Sequence, residues 1–280
     1  MKNILIFILF LILNSVLHPQ DENLIRVMTY NIRFAGDEKV ERENSWNNRK
    51  EPIVSIIKTY KADIIGLQEA LKIQLDDLVK MLPHFSFVGE GREGGEEGEY
   101  SAILFNKKRF EVLEDTTIWL SDTPEKPSRG WDAAYNRVIT WVKFKEIETG
   151  KAFYLFNTHF DHVGVMAQLE SADLLNDKVA EIAGKTPAIV TGDFNFKSDS
   201  KGYKILTGGR RNFLIDSQIE KENPNITFND FGKYLEEGNK IDYIFIKNEI
   251  EILKHKIIND KFEGRFPSDH MPVLAELQIK

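Results

Sequence analysis

Five short polar signatures are each fastened to one end of an apolar, strand-like run: Tyr30-Asn31, Gln68-Glu69, Asn157-Thr158-His159, Gly192-Asp193-Phe194-Asn195 and Ser268-Asp269-His270, with Ile241-Asp242-Tyr243 ahead of the last. The end of a strand presents a side chain to a cleft with little positional freedom. Carboxylates, amides and imidazoles gathered there suit a hard divalent cation. The chemistry such a set implies is metal-assisted attack on a phosphate ester.

In an extended backbone Asp193 and Asn195 project to one side while Phe194 turns into the core. The carboxylate can take a metal or a proton from water, and the amide can donate to a phosphoryl oxygen as it gains charge. A Gly-Asp-x-Asn stretch is also an ordinary turn with an Asx cap. Glu69 ends the apolar run that starts at Asp63, directly before a helix pattern. There a carboxylate must be coordinated, paired or protonated, or else it serves the helix dipole. Asn31 holds the same place after its own run and by itself reads as a turn residue. Asp269 and His270 are chain neighbours that reach one site only at a bend, which Pro267 and Pro272 favour. Asp242 is then the natural acceptor for the His270 Nδ1 proton. His159 is followed by Asp161 and His162, a trio that suits phosphate binding and, alternatively, a polar loop. Arg137 and Tyr100 are candidate substrate contacts with structural alternatives, and Trp46 reads as structural.

Elements able to hold these residues follow from periodicity. Strand patterns span Ile25 to Asn31, Ile64 to Glu69, Ser101 to Asn106, Val138 to Phe144, Phe153 to His159, Ala188 to Asp193, Lys240 to Ile246 and Met271 to Ile279. Between them, Ile53, Ile56, Ile57 and Tyr60 recur at helical spacing, with Asn48 and Glu51 as a capping box and Pro52 in the first turn. Leu71 to Leu82 and Ala167 to Ala183 are further helices, stopped by Pro83 and Gly184. Strands interleaved with helices early, then longer strand runs, predict an α/β fold of two sheets packed face to face with helices outside. No repeat or linker divides the chain. The Gly/Glu-rich stretch from Gly89 to Gly98 reads as a flexible, solvated hairpin loop in preference to a substrate gate.

Apolar content of 42% against 29% charged residues is that of a folded globular domain. The absence of cysteine excludes disulfides, thiolate nucleophiles and zinc sites built on sulfur. A net charge of −7 argues mildly against a surface that grips long nucleic acid. Met1-Lys2-Asn3 followed by the apolar run Ile4 to Leu13 has the form of a secretory signal peptide, too short to span a bilayer. Residues 1–20 are therefore expected to direct export to the periplasm or beyond, and 21–280 to form one domain. The alternatives are an uncleaved anchor or a buried N-terminal element.

Taken in order, these motifs resemble the endonuclease/exonuclease/phosphatase superfamily, which includes deoxyribonucleases, abasic-site endonucleases, sphingomyelinases, inositol-polyphosphate phosphatases and deadenylases. The resemblance runs from about Arg26 to Gln278. Asn44-Ser45-Trp46 with Arg49-Lys50, Gly98-Glu99-Tyr100-Ser101 and Pro267-Ser268-Asp269-His270 look most like a bacterial secreted subgroup. It implies a four-layer α/β sandwich of two mixed sheets and hydrolysis at phosphorus with Mg²⁺ or Mn²⁺. By motif, Glu69 would be the principal metal ligand with Asn31 and Asp269 nearby. His159 and Asn195 would bind the scissile phosphate, Asp193 would position or deprotonate the water, and Asp242 with His270 would form an acid/base or phosphate-stabilising pair. Whether His270 or Asp193 is the base stays open.

The expected activity is that of a phosphodiesterase or phosphatase, with a nuclease of the same superfamily and a silent binding module as alternatives. The substrate is a small phosphate ester, a nucleic acid or a phospholipid head group. Nucleic-acid docking segments are not recognisable, so a nuclease would need Lys107, Lys108, Arg109, Arg129, Arg210 and Arg211 to line the cleft. Lipid attack calls for an exposed apolar hairpin, and none is evident beyond the N-terminal segment. A small phosphorylated substrate fits the charge best.

Overall fold

The structure, a computed structural model, describes residues 24–208, 214–220 and 225–280. The expected export signal at 1–20 lies outside the described residues, as do Arg210 and Arg211. In chain order the strands are β1 (Leu24–Asn31), β2 (Ile64–Gln68), β3 (Phe85–Val88), β4 (Ile103–Asn106), β5 (Phe110–Trp119), β6 (Val138–Glu146), β7 (Ala152–His159), β8 (Ala188–Asp193), β9 (Ile215–Asp216), β10 (Asp242–Lys247), β11 (Ile250–Ile257) and β12 (Val273–Ile279). The helices are α1 (Glu38–Glu41), α2 (Trp46–Thr59), α3 (Lys72–Met81), α4 (Val165–Ala183) and α5 (Lys201–Gly208).

Two six-stranded sheets result, with orders β11-β12-β1-β2-β4-β3 and β5-β6-β7-β8-β10-β9. Both are mixed: β1 runs parallel to β2 and β7 parallel to β8, while the other neighbours are antiparallel. Three apolar layers hold them together. Ile25, Val27, Ile64, Phe144, Leu155, Ile189 and Ile244 belong to the core between the sheets. Met28, Tyr30, Ile65 and Leu67 face the other way, against α2 and α3. Tyr154, Phe156, Val190 and Tyr243 pack with residues of α4 and α5. Period-two alternation along each strand produces this division and yields the four-layer sandwich.

A polar clamp ties the sheets near one end. Asn157 donates to the carbonyls of Leu67 and Ala102 (2.8 and 2.9 Å) and accepts from Gln68 Nε2 (2.6 Å) and Thr191 Oγ1 (3.0 Å). Gly66 faces this network so closely that a Cβ there would lie 2.2 Å from Thr191 Oγ1. Only a residue without a side chain permits that approach.

The eight expected strands are all present, and four more are added: β3, β5, β9 and β11. All four are edge strands. Three expected runs start later than the pattern suggests, β4 at Ile103, β10 at Asp242 and β12 at Val273, and β2 ends at Gln68 because Glu69 turns to φ 60°. The expected Asn48–Glu51 capping box is not formed. The helix begins earlier, behind Ser45, and places Pro52 in its interior. Trp46 and Arg49 are buried on its inner side, and a buried arginine conceals apolar periodicity.

Candidate active site

The inner faces of the strands change character along their length. Ile25 and Val27 give way to Thr29 and Asn31, Phe153 and Leu155 to Asn157 and His159, and Ile189 to Thr191 and Asp193, all on alternate positions. In register, His159 pairs with Asp193, Asp242 with Asp193, and Asn31 with Gln68. Because β10 and β12 run antiparallel to their neighbours, Asp242 and the residues just before Val273 arrive at the same end. The topology thereby gathers signatures scattered over 240 residues of chain into one cleft of about 670 Å³, an ordinary size for a small-ligand site. A second recess of similar volume, about 730 Å³, lies between α2 and residues 262–267 and is lined by no histidine.

Asp193 is at the centre. Its Oδ1 accepts from the Asn195 N–H (3.0 Å) and its Oδ2 from Asn31 Nδ2 (3.0 Å). The same Oδ2 lies 3.5 Å from His159 Nε2 and 3.7 Å from His270 Nε2. Burial, reinforced by the neighbouring Asp242 charge, pushes the Asp193 carboxyl up to about 7. Asp242 Oδ2 lies 2.9 Å from His270 Nδ1. Burial alone would depress His270, but Asp242 and Asp193 together hold it well above the usual imidazole range. His159 is driven the opposite way, by burial and by the Arg137 and His270 charges. Asp193 therefore lies between an imidazole raised above its ordinary range and one lowered below it, with its own carboxyl poised near neutrality, the separation that acid–base chemistry uses.

Glu69, Arg33 and Asn195 each adopt a left-handed backbone (φ 60°, 55° and 53°) within two residues of a strand end. Such conformations cost about 1 kcal/mol or more for a non-glycine residue and concentrate at functional sites. The Asn195 amide N–H to Asp193 is an Asx turn, so the chain leaves β8 at Asp193 and does not remain extended through Asn195. Asp193 and Asn195 nevertheless line the same cleft.

Oxygen donors dominate one wall. Glu69 Oε1 accepts from Asn31 Nδ2 (3.1 Å), and Arg33 reaches both Glu69 Oε2 (3.5 Å) and Asp269 Oδ2 (3.8 Å). Burial and the Glu69 charge raise the Asp269 carboxyl. Asp193, Asp242 and His270 also bring one ligand atom each within 4.8 Å of one another. A concentration of carboxylate oxygens in which burial and neighbouring negative charge raise Asp193 and Asp269 is the donor chemistry a hard divalent ion would relieve. These residues fit such an ion.

Other expected site residues fall into different places. Arg137 and His162 line the cleft, and Arg137 Nη2 donates to His162 Nδ1 (3.1 Å). Asp161 does not contact it. It lies 1% exposed beneath Arg137, accepts the N–H groups of Ala134, Tyr135, Val163 and Gly164, and by those backbone bonds is held at about 2 despite its burial. Tyr100 is also buried, its hydroxyl donating to Gly95 O and its ring set edge-on to Phe87. Both are corrected from substrate contacts to supports. Asn195 Nδ2 donates to Phe160 O (2.9 Å) and His159 Nε2 (3.1 Å), so its amide orients the imidazole.

The cleft also uses residues that periodicity passes over. Arg33, Arg92, Glu99 and Tyr135 line it, and Arg49 anchors it from behind. Arg92 comes from the Gly/Glu-rich stretch and Glu99 directly follows it; the stretch is a hydrogen-bonded turn structure and not a loose loop, since Arg92 N donates to Glu99 O and Trp119 Nε1 donates to Arg92 O. Arg109, a candidate nucleic-acid contact, is instead bound to Asp63 and Glu146. Val163, Val165 and Met166, next to His162, are exposed, an apolar segment not evident as such in the sequence pattern.

A face-to-face α/β sandwich with carboxylates and imidazoles at one end is the architecture of metal-assisted phosphoesterases. The chain belongs to the Endonuclease/Exonuclease/phosphatase family, whose model matches residues 28–270. Members of this family are hydrolases of phosphoesters, and this protein is an enzyme of that class. Its fold is similar to that of the Bacteroides thetaiotaomicron mannosyl-6-phosphatase, at 36% identity and TM-score 0.85 over 90% of this chain and 99% of that one. Among curated proteins it is 28% identical to the uncharacterized protein L388 of Acanthamoeba polyphaga mimivirus, over 82% of this chain and 91% of the relative. It is 25% identical to a probable RNA exonuclease of Saccharomyces cerevisiae, over 67% of this chain and 41% of the yeast protein.

Proposed function

We propose that the protein is an exported, divalent-metal-dependent phosphatase that hydrolyses a small phosphorylated compound, a sugar phosphate being the simplest candidate. The observation that carries this reading is charge pairing in the cleft. Its lining arginines are each set against a carboxylate: Arg33 against Glu69 and Asp269, Arg92 against Glu99 (2.8 Å), and Arg137 against Asp161 (3.4 Å). Such pairing leaves little surplus positive charge to track a polyanion, which gains affinity by releasing counterions from successive phosphates. The likeness to a mannosyl-6-phosphatase supports the same substrate class.

In this reading Arg137 and Arg33 receive the phosphoryl group, and His159, its ring oriented by Asn195, lines the cleft beside it. Asp193 takes a proton from the attacking water as its oxygen bonds to phosphorus in line with the ester oxygen. The P–O ester bond breaks, and the alcohol leaves with a proton from solvent. His270, kept protonated by Asp242, holds positive charge through Nε2–H beside the developing phosphorane. Asp193 is thus the base and His270 the stabiliser. Glu69 and Asp269, with Asn31 beside them, would hold a Mg²⁺ or Mn²⁺ ion, which supplies polarisation of the phosphoryl oxygen.

The test is a panel of hexose 6-phosphates, bis-p-nitrophenyl phosphate, single-stranded RNA and sphingomyelin, each with Mg²⁺ or Mn²⁺. Release of inorganic phosphate from the monoesters at the highest kcat/KM is the expected result. Preferred cleavage of RNA would establish the nuclease reading that the yeast relative suggests, and preferred cleavage of sphingomyelin would assign the exposed Val163–Met166 segment to lipid contact.

A further inference from the structure

Beyond the phosphate-binding groups the cleft has a second half made of different chemistry. The rings of Tyr135 and His162 lie within 18° of parallel with centroids 6.0 Å apart. Both residues are exposed, Tyr135 by 49%. The guanidinium carbon of Arg92 lies 4.6 Å from the Tyr135 centroid, and Arg92 Nη1 is 2.8 Å from Glu99 Oε2.

This group is rigidly built. The Arg92 carbonyl accepts from Trp119 Nε1 (2.7 Å) and Asn136 Nδ2 (3.4 Å), and the Arg92 N–H donates to Glu99 O (2.9 Å), closing the turn from which both charged side chains enter the cleft. A flexible loop would not hold an ion pair and an aromatic ring in fixed relation. The ordering cost of that arrangement is met in the free protein and not at binding.

We infer that Tyr135 and the Arg92–Glu99 pair form a subsite for the leaving group, and that the leaving group is a polyhydroxylated sugar ring. The inference rests on the phosphatase reading and names what that site selects. A second phosphate is a poor match, because the guanidinium is already neutralised by Glu99. A paired guanidinium and carboxylate instead present donors and acceptors side by side, and each sugar hydroxyl is both donor and acceptor. The exposed Tyr135 ring supplies the apolar surface that the C–H face of a pyranose covers. A nucleobase would also cover the ring, so a nucleoside monophosphate is the comparison that separates the two.

The experiment measures kcat/KM, with metal present, for a hexose 6-phosphate, glycerol phosphate and a 5′-nucleoside monophosphate in the wild type and in Tyr135→Ala, Tyr135→Phe and Glu99→Gln. The expected result is a wild-type preference for the hexose ester and a fall of roughly tenfold in the hexose-to-glycerol ratio in Tyr135→Ala and in Glu99→Gln. Tyr135→Phe, which keeps the ring, should retain the ratio. A wild-type preference for the nucleotide, or hexose-to-glycerol ratios that neither Tyr135→Ala nor Glu99→Gln alters, would overturn the subsite and leave the phosphatase reading standing. Absence of monoester hydrolysis by the folded, metal-loaded wild type would remove both.

Discussion

Asp242 and His270 form the buried pair behind the cleft: Asp242 Oδ2 lies 2.9 Å from Nδ1, on the opposite side of the ring from Nε2, which faces Asp193 at 3.7 Å. The two residues reach the same end of the sandwich from different sheets, Asp242 as the first residue of β10 and His270 three residues before β12. The Phe228 ring packs edge-on against the imidazole, with centroids 5.2 Å apart. The carboxylate fixes both the orientation and the charge of the histidine.

Replacing Asp242 by Asn should therefore lower the His270 pKa, which Asp242 and Asp193 together raise against the effect of burial. NMR titration of the imidazole in metal-free protein reads this directly. The same variant should lose roughly 10²–10⁴-fold in kcat, the usual range for removing a positioned proton-handling group. A His270 resonance that titrates identically in both proteins would refute the pairing.

The Asp193 carboxyl carries a stability cost at alkaline pH. Its pKa in the fold, about 7, lies above the ordinary 3.8 because burial and Asp242 disfavour its ionised form. A raised folded pKa contributes stability that is fully present below the unfolded value and is lost as pH rises through the folded one. Asp193→Asn should consequently raise the melting temperature of the metal-free protein more at pH 8.5 than at pH 5, by on the order of several degrees, while abolishing phosphate release. Equal shifts at the two pH values would contradict the assignment.

Acid stability has a separate source. His255 in β11 lies 2.8 Å from Ser217 Oγ, and burial together with the Lys240 charge depresses it to about 3 from 6.5. The unfolded chain takes up that proton first, so stability should decline as pH falls from about 6.5 toward 3, by at most about 1.4 kcal/mol per pH unit for one proton. His255→Gln should flatten this part of the profile in chemical denaturation measured at pH 4, 5, 6 and 7. An unchanged slope would place the acid sensitivity elsewhere.

Arg49 stitches the chain around the wall that carries Arg33, Glu69 and Asp269. It is 3% exposed and donates to the carbonyls of Asn44 (2.6 Å), Arg33 (3.0 Å), Phe34 (3.3 Å), Pro267 (3.3 Å) and Ile32. Arg49→Met fills similar space but strands buried carbonyls, each worth about 1–3 kcal/mol when unsatisfied. Thermal melts should show a loss of several degrees, and kcat/KM should fall because Arg33 and Asp269 flank the loosened segments. A stable, fully active variant would show that these bonds are dispensable.

The interior of the fold was legible in the chain and its margins were not. Each of the eight inner strands buries residues on both faces, so β-branched and aromatic runs such as Ala188–Val190 announce them. The edge strands β3, β5, β9 and β11 do not. Glu111, Glu114 and Asp115 are exposed along β5, bulges interrupt the register at Val112/Glu114 and Ile252/Lys254, and β9 is two residues long. Edges tolerate charge because one side of the strand meets water.

The site shows the same division. Asn31, Glu69, His159, Asp193, Asp242 and His270 could be recognised because each closes or opens an apolar strand. Arg92, Glu99 and Tyr135 sit in turns whose composition resembles solvated loop, and only the folding of the chain brings them to the cleft. Asp161 reads as a phosphate contact in the sequence because it lies between His159 and His162. Four backbone N–H groups aimed at its carboxylate make it a loop anchor.

The most direct test of the account is phosphate release from a hexose 6-phosphate by the wild type and by Glu69→Ala, each assayed with Mg²⁺, with Mn²⁺ and with EDTA, alongside calorimetric titration of the ion. The account expects turnover that EDTA abolishes, and a variant that remains folded while losing both ion affinity and at least 10²-fold in kcat/KM. Turnover that persists in EDTA, or a Glu69→Ala enzyme that binds the ion and works as well as the wild type, would contradict it.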